Sequence, residues 1–195
     1  MKSKLAGYIL IIASLYYIVA ELISAIYFNF PLTETYLFHT ISELGIPCAV
    51  SPLAVLMNSA FIFLGLALIF ADFTEFKHYI FKNKAIFYIL TLTTAIGVII
   101  VALIHGGNPL TSGYHTLGAV MAILGGNVLL VVISKSMSEF GQYQKITLAL
   151  GVFGLIVFWI MFFNIDNVYM PVLERLSVYT LIVWSFITGI RLVEV

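Results

Sequence analysis

In a chain of 195 residues, 62% hydrophobic and only 9% charged residues with a mean hydropathy of +1.11 leave too little polar surface to face water, so the surrounding solvent must be lipid. A formal net charge of zero provides no basic field for nucleic acid, and the charges fall between the apolar runs rather than within them. Cys48 is the only cysteine, which excludes an internal disulfide and any cysteine-based zinc or iron–sulfur site and leaves packing as its expected role.

The first apolar run, Leu5–Phe28, follows Lys2 and Lys4 as a signal peptide would. It exceeds the length of a signal h-region, and no A-x-A cleavage site follows, so a retained helix is expected. Five further runs are long enough to cross a hydrocarbon core: Leu53–Ala71, Ala85–Ile104, Tyr114–Ile133, Ile146–Phe163 and Val172–Ile190. The predicted fold is a single all-α membrane domain over residues 1–195, a six-transmembrane-helix bundle. Lys2, Lys4, Lys77, Lys82, Lys84, Lys135, Lys145 and Arg191 fall on one side of it, and Arg175 alone on the other. Retention of positive charge in the cytoplasm then places both termini inside a multi-pass protein of the cell membrane.

Within the first run, Glu21 shares a helix face with Ser14, Tyr17 and Ser24 and must point into the bundle, because an ionisable group facing lipid is costly. It is either a buried acid that moves protons or binds a cation, or a structural acid hydrogen-bonded to a neighbouring helix. In the long connection Asn29–Pro52, Thr33 can cap a short amphipathic outer helix over Glu34–Leu44 that Gly45 ends. Leu37, Ile41 and Leu44 fall on one face of it and Tyr36, His39, Thr40 and Glu43 on the other, before Pro47 and Pro52 redirect the chain. His39 and Glu43, four residues apart, can supply two metal ligands or a base with its orienting acid.

Asn58 in the second span and Asn127 in the fourth are expected to bridge helices. His78 belongs to the basic loop Asp72–Lys84 and is expected to be solvated. His105 closes the third span and His115 opens the fourth across a turn containing Gly106-Gly107-Asn108-Pro109, which holds both rings near one membrane level. At a helix N-terminus the dipole favours a neutral His115 ring, able to accept a proton or bind metal. Some subset of His39, Glu43, His105 and His115 is thus a candidate site for a divalent metal; the bland alternative is ordinary hydrogen bonding. Gly118, Ala122 and Gly125/Gly126 form a small-residue stripe suited to close helix packing. Glu174 and Arg175 open the sixth span, where the helix dipole opposes the arginine. Arg175 therefore needs a partner: Glu43 or Glu174 in a structural clamp, or a lipid phosphate gripped bidentately. Tyr179 follows one turn later on the same face, and Trp159 and Trp184 are assigned to packing. No internal repeat is present, which disfavours an inverted-repeat transporter.

The run Ile41-Ser42-Glu43-Leu44-Gly45 with Ser51-Pro52 and Asn58, the segment His115-Thr116-Leu117-Gly118-Ala119, and Glu174-Arg175-Leu176-Ser177-Val178-Tyr179 with Trp184 together resemble the domain-of-unknown-function 998 family of prokaryotic membrane proteins. The resemblance spans almost the whole chain and implies a six-helix bundle without implying an activity. The Ser-Glu-Leu-Gly segment and its proline-bearing turn are distantly similar to the Frag1/DRAM/Sfk1 group, which is connected with lipid remodelling and autophagy. The ceramidase/progestin-receptor-like superfamily is similar only in gathering His, Ser and acidic residues at one membrane face, and its seventh helix with an H-x-x-x-H pair is absent, so its zinc site does not transfer.

Three functions follow. The first is binding or modification of a membrane lipid in an outward-facing cavity formed by His39, Ser42, Glu43, His105, His115, Glu174 and Arg175, with Tyr179 lining it. Were it catalytic, His39 or His115 with Glu43 would be the base and Arg175 the phosphate holder, although Ser42 lacks a nucleophile-elbow motif. The second is a non-catalytic accessory subunit or scaffold, acting with a membrane-protein partner or a second copy of itself. The third is proton or small-solute transport through Glu21.

Overall fold

In a computed structural model, which describes residues 4–137 and 141–194, the chain forms seven helices. They are α1 (Leu5–Ile26), α2 (Leu32–Phe38), α3 (Ala54–Thr74), α4 (Lys84–Leu103), α5 (Ser112–Ser136), α6 (Gly141–Phe163) and α7 (Met170–Glu194). Short 3-10 turns cover Glu43–Gly45 and Phe76–Tyr79, and the described residues contain no strand, only isolated bridges. All but α2 are long and apolar enough to cross a membrane; at 1.5 Å per residue even the 20 residues of α4 span roughly 30 Å. Lys2, which contributes to the predicted orientation, and residues 138–140, which fall in the predicted loop Ser134–Lys145, lie outside the described residues.

The six long helices form a ring in chain order. Each packs on its sequence neighbours, α7 closes the circle on α1, and α5 touches α7 across it. The pattern that makes α1 a ring member is the fully buried series Ala6, Leu10, Ala13, Tyr17, Ala20 and Ser24, spaced alternately by four and three residues, with Ile12, Leu15 and Val19 facing outward. Small residues set the closeness of approach. A Cβ on Gly7 would stand 2.6 Å from the Gly189 carbonyl oxygen, which fixes α1 against α7; a Cβ on Gly97 would stand 2.5 Å from the Ala122 nitrogen, which fixes α4 against α5. Gly118 and Ala122 of the expected stripe therefore serve helix packing. The start of α1 and the end of α7 lie at one end of the ring, here called the terminal end; the link between α1 and α3 lies at the other, the connection end.

Several expectations change. The predicted helix over Glu34–Leu44 is two pieces, α2 and the 3-10 turn, and Pro31 rather than Thr33 occupies the N-cap position. The break falls at His39, whose backbone is extended (φ −120°, ψ 134°), so its carbonyl is turned away from the helix ladder. Leu37 is exposed, while Ile41 and Leu44 are buried. Asp72, assigned to a loop, is in the last turn of α3 and is 0% exposed. Cys48 is exposed rather than packed. Trp184 is buried, but Trp159 is 45% exposed on the lipid-facing side of α6, stacked with Phe163. His78 is exposed, as expected.

Candidate functional site

At the connection end, α7 supplies the polar side chains that hold the α1–α3 link in place. Arg175 Nε donates to Glu21 Oε1 at 2.9 Å, and the side chains of both are almost fully buried, at 6% and 1% exposure. Tyr179, one turn further along α7, donates its hydroxyl to the other oxygen of Glu21 at 2.8 Å. Arg175 Nη1 donates to the carbonyls of His39 at 2.7 Å, Tyr36 at 3.2 Å and Pro171 at 3.3 Å, and the guanidinium lies 4.8 Å from the centre of the Tyr36 ring. Glu174 Oε2 accepts the backbone N–H of Ile41 at 2.8 Å. The partner of Arg175 is thus Glu21 on the first helix, not Glu43 or Glu174 as expected: the start of α7 faces α1, while Glu43 lies beyond the break in the link. Glu174 and Arg175 act as a clamp on backbone groups that the broken helix leaves unpaired.

The link is ordered locally as well. Glu43 Oε2 accepts the N–H of Thr40, and Thr40 Oγ1 accepts the N–H of Glu43, each at 3.2 Å, which is the reciprocal pattern of a capping box at the start of the 3-10 turn. The same Glu43 oxygen accepts from His39 Nδ1 at 2.8 Å, and the His39 ring packs on Phe30 and Phe28 with centroids 4.5 and 5.0 Å away. The predicted His39–Glu43 pair therefore forms, but through a turn rather than on a helix face. Ser42 Oγ is bonded to Thr40 Oγ1 at 3.2 Å, not to a histidine.

The other two histidines belong to separate arrangements. His115 Nδ1 donates to the Ile104 carbonyl at 2.6 Å and leaves Nε2 as an acceptor beside Gly106. His105 Nε2 takes a 3.3 Å bond from Asn58 Nδ2, which also donates to the Gly45 carbonyl at 2.8 Å. Among the described residues no three His, Cys, Asp or Glu side chains gather closely enough to hold a metal ion. The divalent-metal candidates thus divide into the His39–Glu43 pair and two single rings.

Two adjoining cavities open beneath the link. One of about 180 Å³ lies between α5, α6 and α7, with Thr40, Ser42, His115, Thr116 and Glu174 around an otherwise apolar wall that includes Phe158 and Met161. The other, about 50 Å³, lies in the middle of the ring and is lined by Tyr17, Phe61, Val98, Asn127 and Leu181 among others. Ser42, Ala119, Ile123 and Glu174 belong to both walls, so the acid stands where the two spaces meet. Glu21, His39, Glu43, His105 and Arg175 line neither.

Sequence reasoning missed two features of this site. Tyr17, read only as part of the Glu21 stripe, is a cavity wall whose buried hydroxyl has no hydrogen-bond partner. Asn127 ties three helices together: its Nδ2 reaches the Ser177 carbonyl and hydroxyl at 3.2 Å, its Oδ1 accepts from Thr180 at 2.6 Å, and Ser177 Oγ donates to the Gly154 carbonyl at 2.9 Å. The bridging role predicted for Asn127 holds, and the signal for its partners is the Ser177-x-x-Thr180 spacing on the facing helix. No protein-family model matches the chain, and no curated protein or solved structure matches it.

Proposed function

We propose that this chain is a multi-pass membrane protein of the domain-of-unknown-function 998 family that binds an amphiphile, its apolar part in the cavity between α5, α6 and α7 and its head group at Glu174. Both termini lie in the cytoplasm in this reading, so the cavities open toward the outer leaflet of the cell membrane. The observation that carries it is the meeting of two largely apolar spaces at one carboxyl-bearing residue, a division into greasy wall and localised polar group typical of small-molecule sites. His115, with an acceptor nitrogen left over, and the hydroxyls of Ser42, Thr40 and Thr116 supply the remaining polar rim. The reading requires binding and no chemistry.

The test is native mass spectrometry of protein extracted in a mild detergent, comparing the wild type with Ala119→Phe. Ala119 belongs to both cavity walls, so the larger ring fills the space where they join. Wild-type protein is expected to retain lipid stoichiometrically and the variant to lose it, with helical content unchanged. Equal retention in both proteins counts against this site.

A second reading, an accessory subunit or scaffold, draws support from a different observation: Glu21, Arg175, His39 and Glu43 all spend their hydrogen bonds inside the fold. Absence of retained lipid in wild-type protein, together with recovery of a stoichiometric membrane-protein partner, would favour it.

A further inference from the structure

The polar inventory of the central cavity restricts which head group fits there, if the amphiphile-binding reading on which this inference rests is right. Asn127 and Ser177 have their groups engaged with one another, with Thr180 and with backbone carbonyls. Ser42 is bonded to Thr40, and one oxygen of Glu174 is taken by Ile41. What remains is the hydroxyl of Tyr17, whose residue is 1% exposed, and the second oxygen of Glu174. Tyr17 and Glu174 both line this cavity. Leaving a buried hydroxyl unmatched is unfavourable, and one group able both to accept and to donate would satisfy the two residues together.

No lysine or arginine lines either cavity. Arg175 is held by Glu21 and by three carbonyls, and although its Nη2 is buried without a partner, the residue is part of neither wall. An anionic head would therefore enter a largely apolar space beside a carboxyl group with no lysine or arginine to balance its charge. The central space, at about 50 Å³, also has room for only a small polar group.

We infer that the ligand is a neutral lipid with a free hydroxyl, and that the hydroxyl sits in the central cavity between Tyr17 and Glu174 while the hydrocarbon chain fills the space between α5, α6 and α7. A phosphate-bearing lipid held by Arg175 is the alternative that this arrangement disfavours.

The experiment uses full-length protein in phosphatidylcholine nanodiscs and four photoreactive probes with the same long hydrocarbon chain, ending in an alcohol, an amine, a carboxylate or a phosphate monoester. The alcohol is expected to label residues of α5, α6 and α7 most strongly, and Tyr17→Phe is expected to weaken its binding about five-fold, the effect of one lost hydrogen bond. The variant keeps the ring and removes only a hydroxyl without a partner, so the ligand-free protein should unfold at the same temperature as wild type or higher. The inference is overturned by stronger labelling with the amine, carboxylate or phosphate probe, or by alcohol binding that Tyr17→Phe leaves unchanged, as ordered water alone in the cavity would produce. If every probe fails to label wild type, or Ala119→Phe labels as well as wild type, the amphiphile-binding reading itself fails. If Ala119→Phe blocks labelling and Tyr17→Phe does not, only the head-group assignment is lost.

Discussion

The two ends of the ring each bury an acid inside a spanning helix, and they stabilise it by different means. At the connection end, Glu21 meets an arginine, a tyrosine hydroxyl and, through the arginine, the backbone of the link. At the terminal end, Asp72 accepts one hydroxyl, that of Thr91 at 2.7 Å, its other oxygen has no partner, and no Lys, Arg or His among the described residues comes within ion-pair distance of it. Nearby polar groups of that end pair the same way, Tyr143 with Thr188 at 2.7 Å. An uncharged hydroxyl suffices to hold two helices together; a charge pair is used where a helix must also hold a loop. That is why α7 carries Arg175 near its N-terminal end, against its dipole, in addition to Arg191 in its last turn, where the dipole favours a positive charge.

Five substitutions test this contrast, from the largest effect to the smallest. Arg175→Gln leaves Glu21 buried without its cation and the carbonyls of Tyr36 and His39 without their donor, and is expected to cost about 3–5 kcal/mol, read as thermal unfolding in detergent. Glu21→Gln should cost about as much, and the double variant clearly less than the sum of the two, because the pair acts as a unit. Additive losses would break the contrast, since Glu21 would then be no more coupled than Asp72. Tyr143→Phe removes the buried hydroxyl bond to Thr188 at the terminal end and should cost about 1–2 kcal/mol.

Glu43→Gln weakens a bond to a partly exposed histidine, so a loss below about 1 kcal/mol is expected, with faster hydrogen exchange confined to the turn at residues 40–45. Asp72→Asn keeps an oxygen for Thr91 and separates no ion pair, so its effect should lie within about 0.5 kcal/mol of zero. A loss there as large as that of Glu21→Gln would mean that the terminal end also depends on charge.

The six spanning helices were legible because hydrocarbon thickness imposes a run of about 20 apolar residues, and no other segment reaches it. Their boundaries were less so: α5 and α7 each run to 25 residues, beyond the apolar core of the run, because Ser134, Ser136, Pro171 and Leu192 remain buried against neighbours. The break at His39 had a mark in the sequence, Thr40-x-x-Glu43, which opens a new turn. The amphipathic period over residues 34–44 points to one continuous helix instead, and the clamp from α7 decides against it by taking the His39 carbonyl. The Glu21–Arg175 pair was not legible, because 154 residues separate its members and only the closing of the ring places α7 beside α1. Likewise the spacing of His105 and His115 correctly sets them near one level, but each ring's partner comes from a backbone or an asparagine that no local pattern specifies.

The same ring closure has a consequence for how the protein is made. Glu21 emerges from the ribosome with α1, and its arginine only with α7, so a chain synthesised short of α7 carries an acid in its first membrane segment with no counter-ion. Until α7 arrives, α1 must be sheltered by the insertion machinery or held at the edge of the bilayer, and the Tyr36–Ile41 backbone stays unclamped. Arrival of α7 and closure of the ring are therefore a single event, and a polypeptide that stops short of α7 presents an unpaired carboxyl that quality control can detect.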